Sequence, residues 1–345
     1  MRVEKAGRQQ LESHAQDAQG DDDGVKGGER HGETGEGPCC LLRAMSLRKS
    51  SLPVAYTPPR RNTLSFAMRR LHPACLLLAL LASACRAAAA PAPQPSGPLT
   101  SMVFPREHMG ILRTANGEIR SVTDRPTATL GLLRCELITL NPDQAAHPPH
   151  RHAEEKVIVV QSGRLEVNLN GATQVCGPGS VILCAWNDTH AVRNPGESPA
   201  TFWVITPTSA RTHDPYALNR TPTLGSVVRD WESLPVKSTP TAQRREILQG
   251  STATLDRLAV HATTVPARTA AHGAHRHPDD EIVLVLEGTM EATLDGRGAT
   301  GGPGSLFLFT SGDLHGLRNS GETAAIYVII RIVTPATPAA PAGAR

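Results

Sequence analysis

Short runs of apolar residues, separated by turn residues, dominate the chain from about position 99 onward. Val157 to Val160 is continuously apolar, as is Ile282 to Leu286, which suits strands buried on both faces. After the first run, Leu165, Val167 and Leu169 alternate with polar residues and Asn170-Gly171 follows; the corresponding place in the second half holds Asp295-Gly296. Asn-Gly and Asp-Gly supply the positive φ angles of a two-residue hairpin turn. Gly177-Pro178-Gly179-Ser180 is another turn, and an apolar stretch, Val181 to Cys184, comes after it. No segment carries a convincing amphipathic helical period. Strand, tight turn, strand, turn and strand predict an all-β antiparallel barrel or sandwich.

The pattern occurs twice. Thr127-Ala128-Thr129-Leu130 returns as Thr252-Ala253-Thr254-Leu255, and His150-Arg151-His152 as His275-Arg276-His277. Gly177-Pro178-Gly179-Ser180 returns as Gly302-Pro303-Gly304-Ser305, and His190 and Asn194 as His315 and Asn319. Every pair keeps one offset (275 − 150 = 125), so the copies align without a gap. A long unit present only twice is a duplicated domain rather than a solenoid. The copies span 99–210 and 224–335, and the Pro/Ala-rich composition of residues 336–345 reads as a flexible tail.

The first 98 residues read differently. Residues 1–67 are polar and irregular, and the expectation is a disordered or mis-annotated extension. Residues 68–87 have the layout of a secretory signal peptide: basic Met68-Arg69-Arg70, an apolar run from Cys75 to Leu81, then Ala82-Ser83-Ala84. The run is too short for a membrane span, which needs about 20 apolar residues. The expectation is then that Met68 is the true start, and any peptide from before it in the native protein would rule that out. Cys85 directly after the small residues leaves lipidation as an alternative to simple cleavage, and residues 88–98 read as an Ala/Pro linker. The expected location is secreted or periplasmic.

Composition changes the picture in two places. The net charge of +3 is carried by the leader: residues 1–87 hold 13 Lys+Arg and 9 Asp+Glu, which leaves 22 basic against 23 acidic residues in the rest. A near-neutral domain pair gives no reason to expect nucleic acid or an acidic membrane surface. Past the leader only Cys135, Cys176 and Cys184 remain. An odd count offers no disulfide framework, although a Cys176–Cys184 bridge is conceivable in an oxidising compartment.

The chemistry lies in the second copy. His275 and His277 stand two apart, so an extended strand would turn both imidazoles to one face. Glu281 opens the next apolar run, and His315 arrives from a distant strand. Three nitrogens and one carboxylate suit a divalent transition metal with open positions for water, substrate or O₂. Solvated loop histidines are the ordinary alternative; four ligand-type residues at this spacing argue against it.

These residues resemble a known family. His275-x-His277-x3-Glu281-x6-Gly288 looks like the first cupin motif, and Gly304-x5-Thr310-x-Gly312-x2-His315-x3-Asn319 like the second, with Thr310 where cupins often have Pro. The resemblance implies two tandem cupin (double-stranded β-helix, jelly-roll) barrels, and a metal on His275, His277, Glu281 and His315. It implies Mn, Fe, Ni or Zn, with Fe or Mn preferred. Cupins are commonly dimers, so it allows a homodimer, although no stretch marks an interface.

The first copy departs from the motif. His150, His152 and His190 match, but Lys156 stands at the glutamate position and Asn187 at that of Gly312. An ammonium in place of a carboxylate weakens cation binding. Glu155 is adjacent, yet a one-residue shift points it to the other face. Two readings stay open: a degenerate structural barrel, or a metal held by His150, His152 and His190 alone. His147 and His272, three residues before each pair, are read as second-layer or rim residues, with a fourth nitrogen ligand as the alternative. Arg151 and Arg276, between the ligands, should face away from the metal. Trp186, Trp203, Phe307, Phe309 and Tyr327 are pocket-wall candidates whose plain reading is core.

Bicupins do many things, and fold does not fix function. The first expectation is a metal-dependent enzyme, oxygenase-like or decarboxylase-like, acting on a small organic substrate. The alternatives are a binding protein for a carboxylate or sugar, and a structural metal.

Overall fold

The computed structural model describes residues 97–216 and 220–339. The leader, the linker up to position 96 and the end of the tail lie outside the described residues. Both copies fall within one compact unit, and no α-helix occurs among the described residues.

Each copy builds one large and one small antiparallel sheet. In the first, seven strands run in the order Val227–Arg229, Val181–Cys184, Lys156–Ser162, Ala200–Thr208, Leu132–Leu140, Gly117–Arg125 and Leu112–Thr114. They are completed by a three-stranded sheet of Ala172–Cys176, Leu165–Leu169 and His190–Arg193. The second copy has the matching seven-stranded sheet, in which Leu306–Phe309, Asp280–Glu287, Ala325–Val333 and Arg257–Val265 are central. Its small sheet has four strands: Ala270–His275, His315–Asn319, Met290–Leu294 and Arg297–Gly301. The two cupin jelly-roll barrels expected from the motifs are therefore present.

The turns form for the reason the sequence suggests. Asn170 and Gly171 have φ of 50° and 89°, and Asp295 and Gly296 46° and 79°, the paired left-handed residues of a type I′ hairpin. Asn187 takes φ 58° where Gly312 takes 82°; asparagine is among the few residues that enter this region at small cost.

The continuous apolar runs have two destinations. Val157, Val159, Val181, Leu183, Trp203 and Ile205 share one core with Ile282, Leu284, Leu306 and Val328 of the other copy. Their immediate neighbours Ile158, Val160, Ile182, Cys184 and Phe202 fill the first barrel's interior, and Val283, Val285, Phe307 and Phe309 the second's. With a side-chain period of two, one face of each large sheet packs inside its barrel and the other packs against its twin. Trp203 and Phe307 are thus core, as their plain reading holds.

Two devices tie the copies together reciprocally. The opening strand of each copy sits in the other copy's sheet: Met102–Phe104 pairs with Leu306–Leu308, and Val227–Arg229 with Val181–Leu183. The repeated Thr-Ala-Thr-Leu segments bind carboxylates across the interface. Asp280 Oδ2 accepts from the Thr127 and Thr129 hydroxyls at 2.5 and 2.6 Å, and its Oδ1 accepts from Ser311 N–H. Glu155 occupies the equivalent place: its Oε2 accepts from the Thr252 and Thr254 hydroxyls, and its Oε1 from Ala253 N–H at 3.2 Å. Both carboxylates are fully buried. The other face to which Glu155 turns is therefore the partner barrel.

Cys135, Cys176 and Cys184 are free, buried thiols, and no bridge links Cys176 to Cys184. Burial pushes the thiols up, Cys176 to about 11 and Cys184 to about 12. Asn194 and Asn319 are buried crosslinks. The Asn319 amide donates to the carbonyls of Val265, Pro266 and Thr323, and its oxygen accepts from Gly321 N–H. Asn194 repeats the set with Leu140, Asn141, Ser198 and Gly196. This motif position is structural.

Candidate metal centre

In the second barrel, strand parity decides which acid faces inward. Asp280 shares its face with Ile282 and Leu284 and turns to the other barrel, whereas Glu281 shares its face with Val283 and Val285 and turns to the interior. His275 ends the strand Ala270–His275 and stands directly across from His315. His277 lies beyond that strand, so an unbroken strand is not what aligns the pair. A bend does it: His277 Nδ1 lies 2.8 Å from Asp279 O, and His277 O accepts from Gly312 N–H.

The four side chains converge. Ring centroids of His275, His277 and His315 are 4.6 to 5.5 Å apart, and one ligand atom from each ring lies within 4.8 Å of the others. Glu281 Oε2 is 3.3 Å from His277 Nε2. Phe309 stacks on His315 at 4.2 Å between centroids and fixes that ring. Tyr327 and Phe307 are buried near it in the same core, while the Trp186 indole N–H donates to Thr212 O. Arg276 is exposed and donates to Gly312 O, facing away from the cluster as expected.

Hydrogen bonds set the tautomers. Nδ1 of His275, His277 and His315 each meets a backbone carbonyl, of Gly273, Asp279 and Asp313. A carbonyl can only accept, so Nδ1 carries the proton and Nε2 is left with its lone pair. His277 Nε2, His315 Nε2 and Glu281 Oε1 are buried and have no hydrogen-bond partner among the described residues. Leaving such atoms bare costs about 1–3 kcal/mol each. One divalent cation would satisfy all of them, so the donor set fits the expected metal. Burial lowers His315 to about 4. Burial alone would raise the Glu281 carboxyl, and the imidazoles of His277, His315 and His272, where protonated, pull it below its ordinary value. His272 stands at the rim, its ring 4.6 Å from His275 and 6.0 Å from His315.

A cavity of about 350 Å³ opens beside the cluster, lined by His272, His275 and Glu281 together with Arg244, Glu246, Arg257, His261 and Arg331. Arg331 is held by Asp279 through two bonds of 2.6 and 2.7 Å, and Arg244 by Glu246 at 2.6 Å. Arg257 is exposed and has no ion pair among the described residues. Burial, and then Arg244, lower His261 to about 4. None of these wall residues was singled out from the sequence. The signal was available in the alignment of the copies: Arg244, Glu246, Arg257, His261 and Arg331 stand opposite Ile119, Ser121, Leu132, Glu136 and Thr206.

The first barrel also gathers histidines, differently. His150 pairs across to His190, and ligand atoms of His147, His150 and His190 lie within 4.8 Å of one another. His152 is nearby, its ring 5.1 Å from His150 and 4.9 Å from His190. Lys156 shares its strand face with Ile158 and Val160 and so turns to the barrel interior, where Glu281 stands in the other copy. Burial lowers the Lys156 ammonium.

No curated protein matches the sequence. The fold resembles several solved structures at low identity. Protein Ylba of E. coli superposes with a TM-score of 0.54 at 12% identity, over 68% of this chain and 90% of that one. AerE of Microcystis aeruginosa gives 0.52 at 15%, over 65% and 97%. Oxalate decarboxylase of Bacillus subtilis at pH 4.6 gives 0.52 at 15%, over 69% and 78%. The cupin-domain profile matches twice, at residues 136–206 and 262–331, and each match covers the strands that carry the histidines. With two such domains in tandem on jelly-roll barrels, the chain belongs to the cupin superfamily.

Proposed function

We propose that the protein is an exported, metal-dependent enzyme whose C-terminal barrel acts on a small organic anion, with oxygenase-type chemistry preferred. The observation that carries this reading is the cavity: Glu281, whose Oε1 has no hydrogen-bond partner among the described residues, and His275 meet there with Arg244, Glu246, Arg257, His261 and Arg331, none of which the other copy repeats. His275, His277, Glu281 and His315 would hold the metal, as Fe(II) or Mn(II) on the chemistry of the donor set. When bound, it supplies Lewis acidity and, as Fe or Mn, a redox centre.

The chain's own residues do the rest. Arg257, without an internal counterion among the described residues, binds a carboxylate entering the cavity. The Arg331–Asp279 pair holds its shape beside Glu281, with Arg331 Nε 3.9 Å from Glu281 Oε2. His261, kept neutral by burial, can take an acidic proton from the substrate, and Glu246, its cross-strand partner, lies beside it. Export is supported by the signal-peptide layout of residues 68–87.

The test is oxygen uptake by Fe(II)-loaded protein over a panel of small carboxylates, phenols and enols. Substrate-dependent uptake, with a KM raised about 10-fold or more in Arg257→Ala, supports the proposal. Tight calorimetric binding of a panel member with no product over hours overturns it in favour of a non-catalytic carboxylate- or sugar-binding protein.

A further inference from the structure

The two histidine clusters are not copies of each other, and the difference has a local cause. In the second barrel His272-Gly273-Ala274-His275 belongs to a strand of the small sheet. In the first, the same positions read His147-Pro148-Pro149-His150. Two adjacent prolines remove two backbone donors and cannot continue a ladder. The strand is lost there, and only the bridges Ala145–Arg193 and His150–His190 remain. The small sheet accordingly has three strands instead of four.

Freed from the strand, His147 closes on its neighbour. The His147 and His150 rings are 3.9 Å apart, against 4.6 Å for His272 and His275. Both Nδ1 atoms lie near the carbonyl of Pro148, at 3.0 and 3.1 Å, and His190 Nδ1 near that of Asp188 at 3.0 Å. All three therefore present Nε2 as the free donor, and that of His190 is buried without a partner among the described residues. The tight triads are His147, His150 and His190 in one barrel and His275, His277 and His315 in the other. His152 is the one left out. It lies four residues before Lys156, where the other barrel has Glu281 touching His277.

We infer that the N-terminal barrel holds a second metal site formed by His147, His150 and His190, displaced toward the rim from the motif position and away from Lys156. Three nitrogens each about 2.1 Å from one tetrahedral ion lie about 3.4 Å from one another, and the ligand atoms here lie within 4.8 Å of one another, so each pair has to close by at most about 1.4 Å. An all-imidazole site without a carboxylate selects Zn²⁺, Ni²⁺, Cu²⁺ or Co²⁺ over the harder Mn²⁺. His147 also lines a groove of about 630 Å³ with Asn116, Gln144 and Arg193, which gives the ion a way in from outside the barrel. This site is independent of the reaction proposed for the C-terminal barrel.

The test counts Co²⁺ on the full chain. Two equivalents are expected for the parent and one for His275→Ala/His315→Ala, which silences the C-terminal site. Adding His147→Ala to that background should abolish the remaining equivalent, whereas adding His152→Ala should keep it with less than about a 10-fold loss of affinity. Adding Lys156→Glu beside His147→Ala should restore binding, because it rebuilds the motif site. The parent's second equivalent, still bound when His147→Ala is introduced alone, shows that this variant folds. The inference is overturned if the silenced background binds no cobalt, or if it retains its equivalent after His147→Ala. Failure of the C-terminal reading looks different: His275→Ala/His315→Ala would then bind as much as the parent.

Discussion

Replacing Glu155 by Ala should destabilise the whole chain, although the residue is neither a metal ligand nor part of a barrel interior. Its carboxylate is 1% exposed and accepts from two hydroxyls and one backbone N–H of the other copy. Deletion leaves three buried donors unsatisfied, at about 1–3 kcal/mol each. Part of this is offset, because a charge no longer has to be desolvated, and breaking comparable buried ionic contacts costs about 3–5 kcal/mol. At roughly 2–4 °C per kcal/mol for a unit of this size, Tm should fall by about 6–20 °C. Glu155→Gln keeps the shape and one acceptor oxygen and should lie between Ala and the parent. The comparison is Glu322→Ala, which removes the exposed pair with Arg268 and should change stability by no more than about 1 kcal/mol. Denaturant unfolding followed by tryptophan fluorescence gives all three values. If Glu155→Ala matches Glu322→Ala, the carboxylate does not hold the barrels together and the argument fails.

Two further outcomes follow from the same packing. Gly179→Ala would set a β-carbon 2.4 Å from the Trp231 ring at a φ of +83°, so it should cost several kcal/mol, whereas Gly171→Ala, with open space around it, should cost about 1 kcal/mol; thermal melts of the two separate them. Cys135, Cys176 and Cys184, buried and with thiols pushed up, should resist iodoacetamide in the native protein and all react in denaturant, as mapped by mass spectrometry.

The sequence carried the duplication, the hairpin turns and the inward turning of Glu281, because each is written in local spacing. Alternation puts Glu281 and Lys156 on interior faces without any knowledge of the other barrel. The clasp was half legible. The Thr-Ala-Thr-Leu repeat and the turning of Glu155 to the opposite face could be read. That this face meets the second copy rather than water depends on packing between segments about a hundred residues apart, which no local pattern encodes. The exchange of opening strands, Met102–Phe104 and Val227–Arg229, is hidden for the same reason. His147 and the charged cavity wall are a different matter. Pro148-Pro149 against Gly273-Ala274, and Arg257 against Leu132, were visible as differences between aligned copies. They gain meaning once the structure shows which strand the prolines interrupt and which wall the arginine joins.

The account rests on His275, His277, Glu281 and His315 gripping one cation. The most direct measurement is metal affinity at the C-terminal site, read by titrating Mn²⁺ or Fe²⁺ into metal-free chain followed by elemental analysis. One tightly held equivalent is predicted in the parent. It should be lost in His315→Ala and weakened by at least about 10–100-fold in Glu281→Gln, the loss already typical of removing a group that merely supports a ligand. A parent that binds no Mn²⁺ or Fe²⁺, or variants that bind it as tightly as the parent, would contradict the account.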